Sequence, residues 1–286
     1  MTPDTSISTG KRIRMSRLIK EHSSACMVFA IDHGMTSPVF LRGLERTDDR
    51  IADAVAGGAN VIMAGRGVAA QCAPRFGRGA SLALMLTASA AKSSGGPVVT
   101  RIGGVDEALR LAADAVVVYV ALEGDREGTM ISFLSEVGEA CAVHGMPLIA
   151  EAEYPDAYSG ADGSGGDWGV DYLLRNARLC AELGADIIKV NWSGDASSFE
   201  RIVVACDRPV VVAGGPVVPV DELLGRMELA RSAGAIGCSV GRNVFEHETP
   251  QLLMRALSRI FEDGQSGKDA RDELMDGMPK ARRRAT

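Results

Sequence analysis

The pattern of apolar and polar residues alternates between two periods along most of the chain. Short runs rich in β-branched residues, typical of buried strands, are separated by longer stretches in which apolar residues recur every three to four positions, as in amphipathic helices. The predicted strands are 27–32, 60–64, 82–87, 115–121, 147–154, 185–191, 209–213 and 235–240. The predicted helices are 48–57, 106–113, 130–144, 170–183, 199–206 and 221–232. This alternation predicts an α/β fold.

Eight strand–helix units favour a closed barrel over an open sheet. Residues 115–121 read Ala-Val-Val-Val-Tyr-Val-Ala, the continuous apolar run of a parallel strand that is covered on both faces. Three strands follow a phrase in which a glycine ends a helix and the strand begins at once, at 56–62, 182–188 and 231–237. The Gly-x-Gly-x-x-Gly of a dinucleotide-binding sheet does not follow the first strand. We therefore predict a (β/α)8 TIM barrel.

The length of the chain fits one domain, since single α/β barrels commonly contain about 250 residues. We predict a single barrel over 1–263 with an N-terminal helical extension. The Gly-rich segment 159–169 is predicted to be a loop on the side of the barrel that builds the active site. Residues 264–286 are expected to form a polar, partly disordered tail, the alternative being a contact with another subunit.

Charge and composition exclude several classes of partner. The formal charge is −6, which provides no field to attract nucleic acid or an anionic membrane surface. The apolar runs fall short of the ~18 residues of a membrane helix, and the start of the chain lacks the apolar block of a secretory signal. We therefore expect a soluble protein of the cytoplasm. The six cysteines lack metal-ligand spacing and are expected to be reduced core residues.

Candidate chemistry is concentrated where the predicted strands end, which is where barrels build active sites. Lys189 is the most informative residue, because the chain has six lysines against 25 arginines and this lysine alone lies inside a predicted buried strand. Burial disfavours the ammonium form and lowers the pKa, which supplies a free amine able to form a Schiff base with a carbonyl. The alternative is an ammonium paired with an inner-strand carboxylate such as Glu151 or Glu153.

Two other strand ends carry candidates for proton transfer. Asp32 ends an apolar strand, where a carboxylate is costly unless it is paired or used. It either exchanges a proton with a substrate hydroxyl or caps the following loop, and His33 either orients it, lines the site or is structural. Tyr154 is a candidate acid and base, the alternative being a packed residue before a proline.

The turns after the seventh and eighth predicted strands indicate phosphate binding. Gly214 and Gly215 follow the seventh strand, and Gly241 and Arg242 follow the eighth. Barrels commonly hold phosphate there on exposed backbone N–H groups, and arginine adds a charge-assisted pair of hydrogen bonds. Each glycine turn alone is a weak signal, but the two together favour a phosphate site.

Five motifs together resemble the archaeal-type class I aldolases. They read Ala-Ile-Asp-His-Gly at 30–34, Tyr-Pro at 154–155, Gly-Ala-Asp-Ile-Ile-Lys at 184–189, Val-Val-Ala-Gly-Gly-Pro at 211–216 and Ser-Val-Gly-Arg-Asn-Val-Phe at 239–245. The family includes fructose-bisphosphate aldolase, 2-amino-3,7-dideoxy-D-threo-hept-6-ulosonate synthase and the autoinducer-2 phosphate aldolase or thiolase. The resemblance covers nearly the whole chain from 27 to 260, and the last three motifs in this order are quite specific.

The resemblance implies a role for each group. Lys189 is the Schiff-base lysine, Tyr154 the proton shuttle and Asp32 the acid and base at the substrate hydroxyl, while the two glycine turns and Arg242 hold a phosphate. It also implies a homo-oligomer, a pentamer or decamer. The family's usual Tyr-Pro-Arg-Gly is replaced here by Tyr-Pro-Asp-Ala at 154–157, and Glu151 and Glu153 replace mostly neutral residues. These acidic groups favour a cationic or amino-bearing acceptor aldehyde.

The sequence thus predicts a class I aldolase or transaldolase that acts on a phosphorylated ketose without a metal or an organic cofactor. A biosynthetic condensation such as 2-amino-3,7-dideoxy-D-threo-hept-6-ulosonate synthesis is the expected reaction. Three alternatives stay open. They are a sugar isomerase that uses Glu151 or Glu153 as its base without a covalent adduct, a non-catalytic ligand-binding relative, and a thiolase-like acyl transferase of the same family.

Overall fold

Eight parallel strands close into a barrel in the computed structural model, which confirms the predicted architecture. The structure describes residues 8–37, 39–77, 79–93, 96–155 and 168–279. Each barrel strand is hydrogen-bonded to the next barrel strand along the chain, and the last returns to the first. The barrel strands are β1 (Cys26–Ala30), β2 (Val61–Ala64), β3 (Ser81–Met85), β6 (Ala115–Val120), β7 (Leu148–Ala152), β8 (Ile187–Val190), β9 (Val210–Ala213) and β10 (Gly237–Val240).

Helices connect the strands on the outside of the barrel, and all six predicted helices are present. The α-helices are α1 (Thr9–Leu18), α2 (His33–Thr36), α3 (Thr47–Ala56), α4 (Arg66–Gln71), α5 (Val105–Arg110), α6 (Glu127–His144), α7 (Gly169–Glu182), α8 (Ala196–Cys206), α9 (Val220–Ser232), α10 (Arg242–Phe245), α11 (Pro250–Ser258) and α12 (Gly267–Gly277). Short 3-10 helices cover Arg42–Arg46, Ala73–Arg75 and Gly124–Arg126, and a π-helix covers Arg259–Asp263. Within the described ranges, the helices are too short or too polar to cross a membrane.

The barrel strands alternate between two apolar layers. On β7, Leu148 and Ala152 pack in the layer between strands and helices, whereas Ile149 packs inside the barrel. Glu151 is two residues beyond Ile149, so its side chain also points inside the barrel. At the opposite end of the barrel, Leu18 of α1 is fully buried and closes the interior. The alternation therefore decides which polar side chains reach the interior.

The repeated glycine phrase marks three helix-to-strand connections, as predicted. Gly58, Gly184 and Gly234 have φ angles of +111°, +96° and +99°. These values lie in the region that L side chains rarely adopt, so the connections require glycine. Each glycine ends its helix and allows the chain to enter the next strand within a few residues.

A small antiparallel sheet lies between β3 and α5, where the sequence predicts no element. It consists of β4 (Thr87–Ser93) and β5 (Gly96–Arg101), which pair with Thr87 opposite Arg101. The hairpin extends from the carboxyl end of β3 and contacts α2. Small residues dominate β4, so its sequence lacks the apolar alternation by which strands are recognised.

The C-terminal segment differs from the expected polar, partly disordered tail over the part that the structure describes. Helix α12 begins at the cap Ser266, whose Oγ accepts the N–H of Asp269 at 3.1 Å. Ala270, Leu274 and Met278 recur at the spacing of one helix face, and all three are buried. This face packs against α9 and α11. Residues 280–286 lie outside the described residues.

Candidate active site

Lys189 lies on β8 inside the barrel, directly opposite Glu151 of β7 in the strand register. Its Nζ atom donates to Oε1 of Glu151 at 2.5 Å and lies 2.8 Å from Oε1 of Glu153. All three side chains are buried, with Lys189 5% exposed. Of the two readings left open by the sequence, the structure therefore favours the paired ammonium.

The surrounding charges keep the Lys189 amine protonated in the resting protein. Burial alone lowers the pKa of Lys189, but the negative charges of Glu151, Glu153 and Asp32 outweigh burial and raise it above its ordinary value. This corrects the expectation that burial supplies an uncharged amine. Burial raises the pKa of Glu151 to about 8, although Lys189 opposes the shift. The amine can react only after one of its protons has moved to a neighbouring group.

Lys189 borders a small cavity at the carboxyl ends of the strands. The turns that follow β9 and β10 border the same cavity, so the amine and the predicted phosphate site face each other. The residues predicted from the sequence that line it are Lys189, His33, Gly214, Gly215, Gly241 and Arg242. The barrel thus brings residues from four separate parts of the chain to one site.

The turn after β9 is held by Asn243. Its Nδ2 atom donates to the carbonyl oxygens of Gly214 at 3.0 Å and Pro216 at 2.9 Å, and its Oδ1 atom accepts the N–H of Val218 at 3.1 Å. Gly215 has a φ angle of +66°, which favours glycine at this position. The three hydrogen bonds fix the backbone of this turn against the cavity.

The turn after β10 brings a cation to the cavity. A Cβ atom on Gly241 would lie 2.5 Å from the carbonyl oxygen of Ala30, so glycine is needed for the turn to approach β1 this closely. Arg242 follows at the cavity wall, and its Nε atom is buried without a hydrogen-bond partner among the described residues. A buried guanidinium N–H that needs an acceptor is suited to an anionic group such as phosphate.

Asp32 and His33 follow β1 at the same end of the barrel. Neither carboxylate oxygen of Asp32 has a hydrogen-bond partner within the described ranges, and its side chain caps no helix end. The structure thus disfavours the alternative that Asp32 caps the following loop. Burial raises the pKa of Asp32, with the charges of Lys189 and Arg242 opposing it. Burial lowers the pKa of His33 to about 3, so the imidazole, whose Nδ1 lies 3.6 Å from Oδ1 of Asp32, is neutral.

Tyr154 lies on the opposite side of its strand from the amine. Its ring stacks on Tyr172 of α7 with the ring centres 6.0 Å apart, and its hydroxyl donates to the carbonyl oxygen of Gly169 at 3.4 Å. The side chain belongs to the apolar layer between strands and helices. Since side chains alternate along the chain here, Glu153 occupies the position that faces Lys189. The position of Tyr154 therefore does not support its predicted role as the proton shuttle.

The sequence interpretation gives no role to two polar residues that line the cavity, Asn191 and Ser239. The Oγ atom of Ser239 is buried without a hydrogen-bond partner in the part of the chain that the structure describes. Asn191 accepts the N–H of Tyr154 on its Oδ1 atom at 2.7 Å and so holds the end of β7. Strand alternation could have indicated both residues. Asn191 is two positions after Lys189 and Ser239 is two positions before Gly241, and both of these reference residues line the cavity. Asp156, a predicted departure from the family pattern, lies outside the described residues.

Comparison with known proteins relates the chain to aldolases. The model of the DeoC/LacD family of aldolases matches residues 26–247. The chain is 34% identical over 251 residues to 2-amino-3,7-dideoxy-D-threo-hept-6-ulosonate synthase 1 of Archaeoglobus fulgidus, a match that covers 88% of this chain and 90% of the relative. It is 28% identical over 270 residues to a 3-hydroxy-5-phosphonooxypentane-2,4-dione thiolase of Klebsiella pneumoniae, covering 93% and 85% of the two chains.

Solved structures show the same fold. A Schiff base-forming fructose-1,6-bisphosphate aldolase superposes with a TM-score of 0.76 at 25% identity, over 88% of this chain and 99% of the aldolase. A fructose-bisphosphate aldolase from Slackia heliotrinireducens superposes with a TM-score of 0.81 at 17% identity, over 96% and 93% of the two chains. At 17% identity, the second match indicates a shared fold alone.

Proposed function

The chain belongs to the DeoC/LacD family of aldolases, and from this premise we propose that it is a class I aldolase or transaldolase that acts on a phosphorylated ketose. The observation that carries the proposal is the position of Lys189. It is a buried amine inside a barrel, and it borders the same cavity as two glycine turns and an arginine that needs an anionic partner. This arrangement can hold a phosphate at one end of a substrate while the amine reaches a carbonyl.

The phosphate is proposed to bind at the turns of Gly214, Gly215 and Gly241, with Arg242 supplying the positive charge. Backbone N–H groups and a guanidinium are the donors by which barrels usually bind phosphate. Fixing the phosphate there positions the ketone carbon against the Nζ atom of Lys189. Such positioning lowers the activation free energy of the reaction by at most roughly 7–11 kcal/mol.

Lys189 is proposed to form the covalent intermediate. Its neutral amine attacks the ketone carbon, and loss of water gives an iminium that withdraws electrons from the adjacent carbon–carbon bond. Asp32 then removes the proton from the substrate hydroxyl, the carbon–carbon bond breaks and its electron pair remains on the donor as an enamine. Addition of the enamine to a second aldehyde completes a transaldol or condensation reaction.

The reaction of the relatives suggests the physiological direction. The Archaeoglobus fulgidus relative is a synthase of 2-amino-3,7-dideoxy-D-threo-hept-6-ulosonate, so we propose a biosynthetic condensation for this chain as well. Glu153, which lines the cavity beside the amine, favours an acceptor that carries a cationic or amino group. The homo-oligomer and the cytoplasmic location remain predictions, and light scattering on the purified chain tests the first.

Borohydride trapping tests the proposal. The purified protein is incubated with a panel of ketose phosphates, fructose 1,6-bisphosphate among them, reduced with sodium borohydride and digested for mass spectrometry. We expect a stable adduct on Lys189 with at least one ketose phosphate. Lys189→Arg keeps the buried positive charge but should lose the adduct, whereas Lys11→Arg, at a lysine paired with Asp186 at the other end of the barrel, should retain it.

The outcome separates the alternatives. Absence of any adduct, together with isomerised product, would support the sugar isomerase, which the comparisons do not favour. Binding without turnover or adduct would indicate a ligand-binding relative. Because one relative is a thiolase, transfer of an acyl group to coenzyme A is measured in the same preparations.

A further inference from the structure

We infer that Glu153, and not Tyr154, is the acid and base that moves protons at the Lys189 nitrogen while the Schiff base forms and is hydrolysed. The inference rests on the proposed function and assigns a catalytic residue to it. Three independent features of the site support the assignment, namely strand register, access to the cavity and the count of buried charges.

Strand register places Glu153 and Tyr154 on opposite faces of the chain. Glu151 is the register partner of Lys189, and Glu153, two residues further, faces the same interior. The carboxylate of Glu153 lies 2.8 Å from Nζ of Lys189. The Tyr154 hydroxyl is instead directed towards the carbonyl oxygen of Gly169, next to the ring of Tyr172. The two groups are thus close enough for proton transfer, and because Oε1 of Glu153 has no hydrogen-bond partner among the described residues, a rotation of the ammonium or of the carboxylate aligns them without any movement of β7.

Access to the cavity separates the two glutamates that contact the amine. Glu153 lines the cavity together with Lys189. Glu151 is fully buried and contacts the amine from within the barrel. A substrate carbonyl that enters the cavity and reaches Nζ therefore meets Glu153 at the same time, whereas Glu151 remains behind the amine. Of the two glutamates, Glu153 is therefore the one placed to transfer protons to both the nitrogen and the substrate oxygen.

The balance of buried charges leaves the site able to accept and return a proton. Three carboxyl groups, Asp32, Glu151 and Glu153, face two cations, Lys189 and Arg242. The neighbouring His33 is neutral, since burial lowers its pKa to about 3. Burial also raises the pKa of Glu151 to about 8, although the charge of Lys189 opposes the shift. Glu153 is the carboxyl group that both contacts the ammonium and lines the cavity.

Glu153 carries each proton between the Lys189 nitrogen and the substrate oxygen. The ammonium of Lys189 gives one proton to the Glu153 carboxylate, and the nitrogen lone pair forms the C–N bond while the carbonyl π pair moves to oxygen. Glu153 returns its proton to that oxygen and takes a second proton from nitrogen, giving the neutral carbinolamine. Glu153 then protonates the hydroxyl, which leaves as water while the nitrogen lone pair forms the C=N bond. Glu153 ends as a carboxylate and the nitrogen as an iminium.

Rapid-quench trapping tests the assignment. Each purified protein is mixed with fructose 1,6-bisphosphate, or with another ketose phosphate from the panel that traps on the wild type, and quenched into borohydride at increasing times. We expect Glu153→Gln to slow formation of the Lys189 adduct by about 100-fold or more, the usual contribution of a general acid and base. Glu153→Asp should recover part of the rate. Tyr154→Phe, which removes only the hydroxyl, should stay within about twofold of the wild type.

Chemical rescue distinguishes catalysis from structural damage. Added formate should accelerate adduct formation by Glu153→Ala, because a small carboxylate can occupy the vacated space, and should not restore Lys189→Arg. Thermal unfolding of every variant reports whether the fold is retained. A 100-fold slower Tyr154→Phe beside an unimpaired Glu153→Gln would overturn the assignment while leaving the Schiff base intact. Failure of the wild type to form an adduct with any ketose phosphate would instead remove the proposed function itself.

Discussion

At the scale of single residues, the site shows how a buried amine can be charged and still serve as a nucleophile. Removal of Lys189 from water favours the neutral amine, but two carboxylates within 2.8 Å of Nζ favour the ammonium more strongly. Reactivity therefore depends on a proton acceptor and not on desolvation alone. The same contacts that stabilise the resting charge supply that acceptor.

His33 is expected to make the free energy of unfolding depend on pH. In the unfolded chain its imidazole has an ordinary pKa of 6.5, whereas burial lowers the folded pKa to about 3. Below pH 6.5 the unfolded chain therefore binds a proton that the folded chain does not. The stability associated with neutral His33 is present above pH 6.5 and is lost as the pH falls towards 3.

We expect this histidine to reduce the free energy of unfolding by about 2 kcal/mol between pH 7 and pH 5. The measurement is the difference between wild type and His33→Asn in urea unfolding at the two pH values. The carboxyl groups with raised pKa, Asp32 and Glu151, act in the opposite direction, but they are present in both chains and cancel in the difference. Equal pH dependence in both chains would show that His33 takes up a proton while folded.

Arg242 is expected to control the affinity for the phosphorylated substrate. Replacing Arg242 by Gln should weaken binding of a trapped ketose phosphate roughly tenfold to 100-fold, the equivalent of one charge-assisted hydrogen bond. Titration of the trapped fraction against substrate concentration measures the change. Fructose without a phosphate is the control ligand. If Arg242→Gln reduced the trapping of fructose as much as that of the ketose phosphate, Arg242 would act on the carbonyl end of the substrate instead.

At the scale of elements, β7 explains which parts of the site the sequence could predict. Its apolar residues identify the strand, and the Tyr-Pro motif suggests that Tyr154 is functional. However, a motif does not state which face a side chain takes, and Glu153 rather than Tyr154 continues the inward series of Ile149 and Glu151. The pairing of Lys189 likewise depends on the register of two strands 38 residues apart in sequence, which sequence reasoning left open.

The turn after β9 provides a prediction at this scale. Asn243→Ala removes three hydrogen bonds, those with Gly214, Pro216 and Val218. We expect a loss of about 2 kcal/mol or more in the free energy of unfolding, since buried backbone groups lose their partners. The turn should also lose its fixed shape, so the affinity for ketose phosphate should fall.

Asn60→Ala is the matched control for this turn. Asn60 also makes three hydrogen bonds, from Nδ2 to the carbonyl oxygens of Arg17 and Leu18 and from the N–H of Met27 to Oδ1, at the other end of the barrel. It should lose comparable stability with unchanged substrate affinity, as measured by urea unfolding and by trapping titration. Equal losses of affinity in the two variants would refute a specific role for the β9 turn.

At the scale of the whole molecule, the sequence predicts the closed barrel but neither the hairpin of β4 and β5 nor helix α12. Eight apolar strand sequences and the repeated glycine phrase determine the architecture, because each strand must be covered on both faces. The hairpin of β4 and β5 was missed because its residues are small and weakly patterned. Helix α12 was missed because many of its residues are charged and one narrow face alone is apolar.

Helix α12 provides the prediction for the whole chain. Its buried residues Ala270, Leu274 and Met278 form the face that packs against α9 and α11. Burial of the Leu274 and Met278 side chains contributes about 3–5 kcal/mol, so a chain that ends at Gln265 should melt roughly 5–15 °C lower than one that ends at Pro279. Calorimetry on the two truncated chains measures the difference and leaves residues 280–286 out of both. Equal melting temperatures would mean that the barrel is complete before α12 and that this helix adds no stability to it.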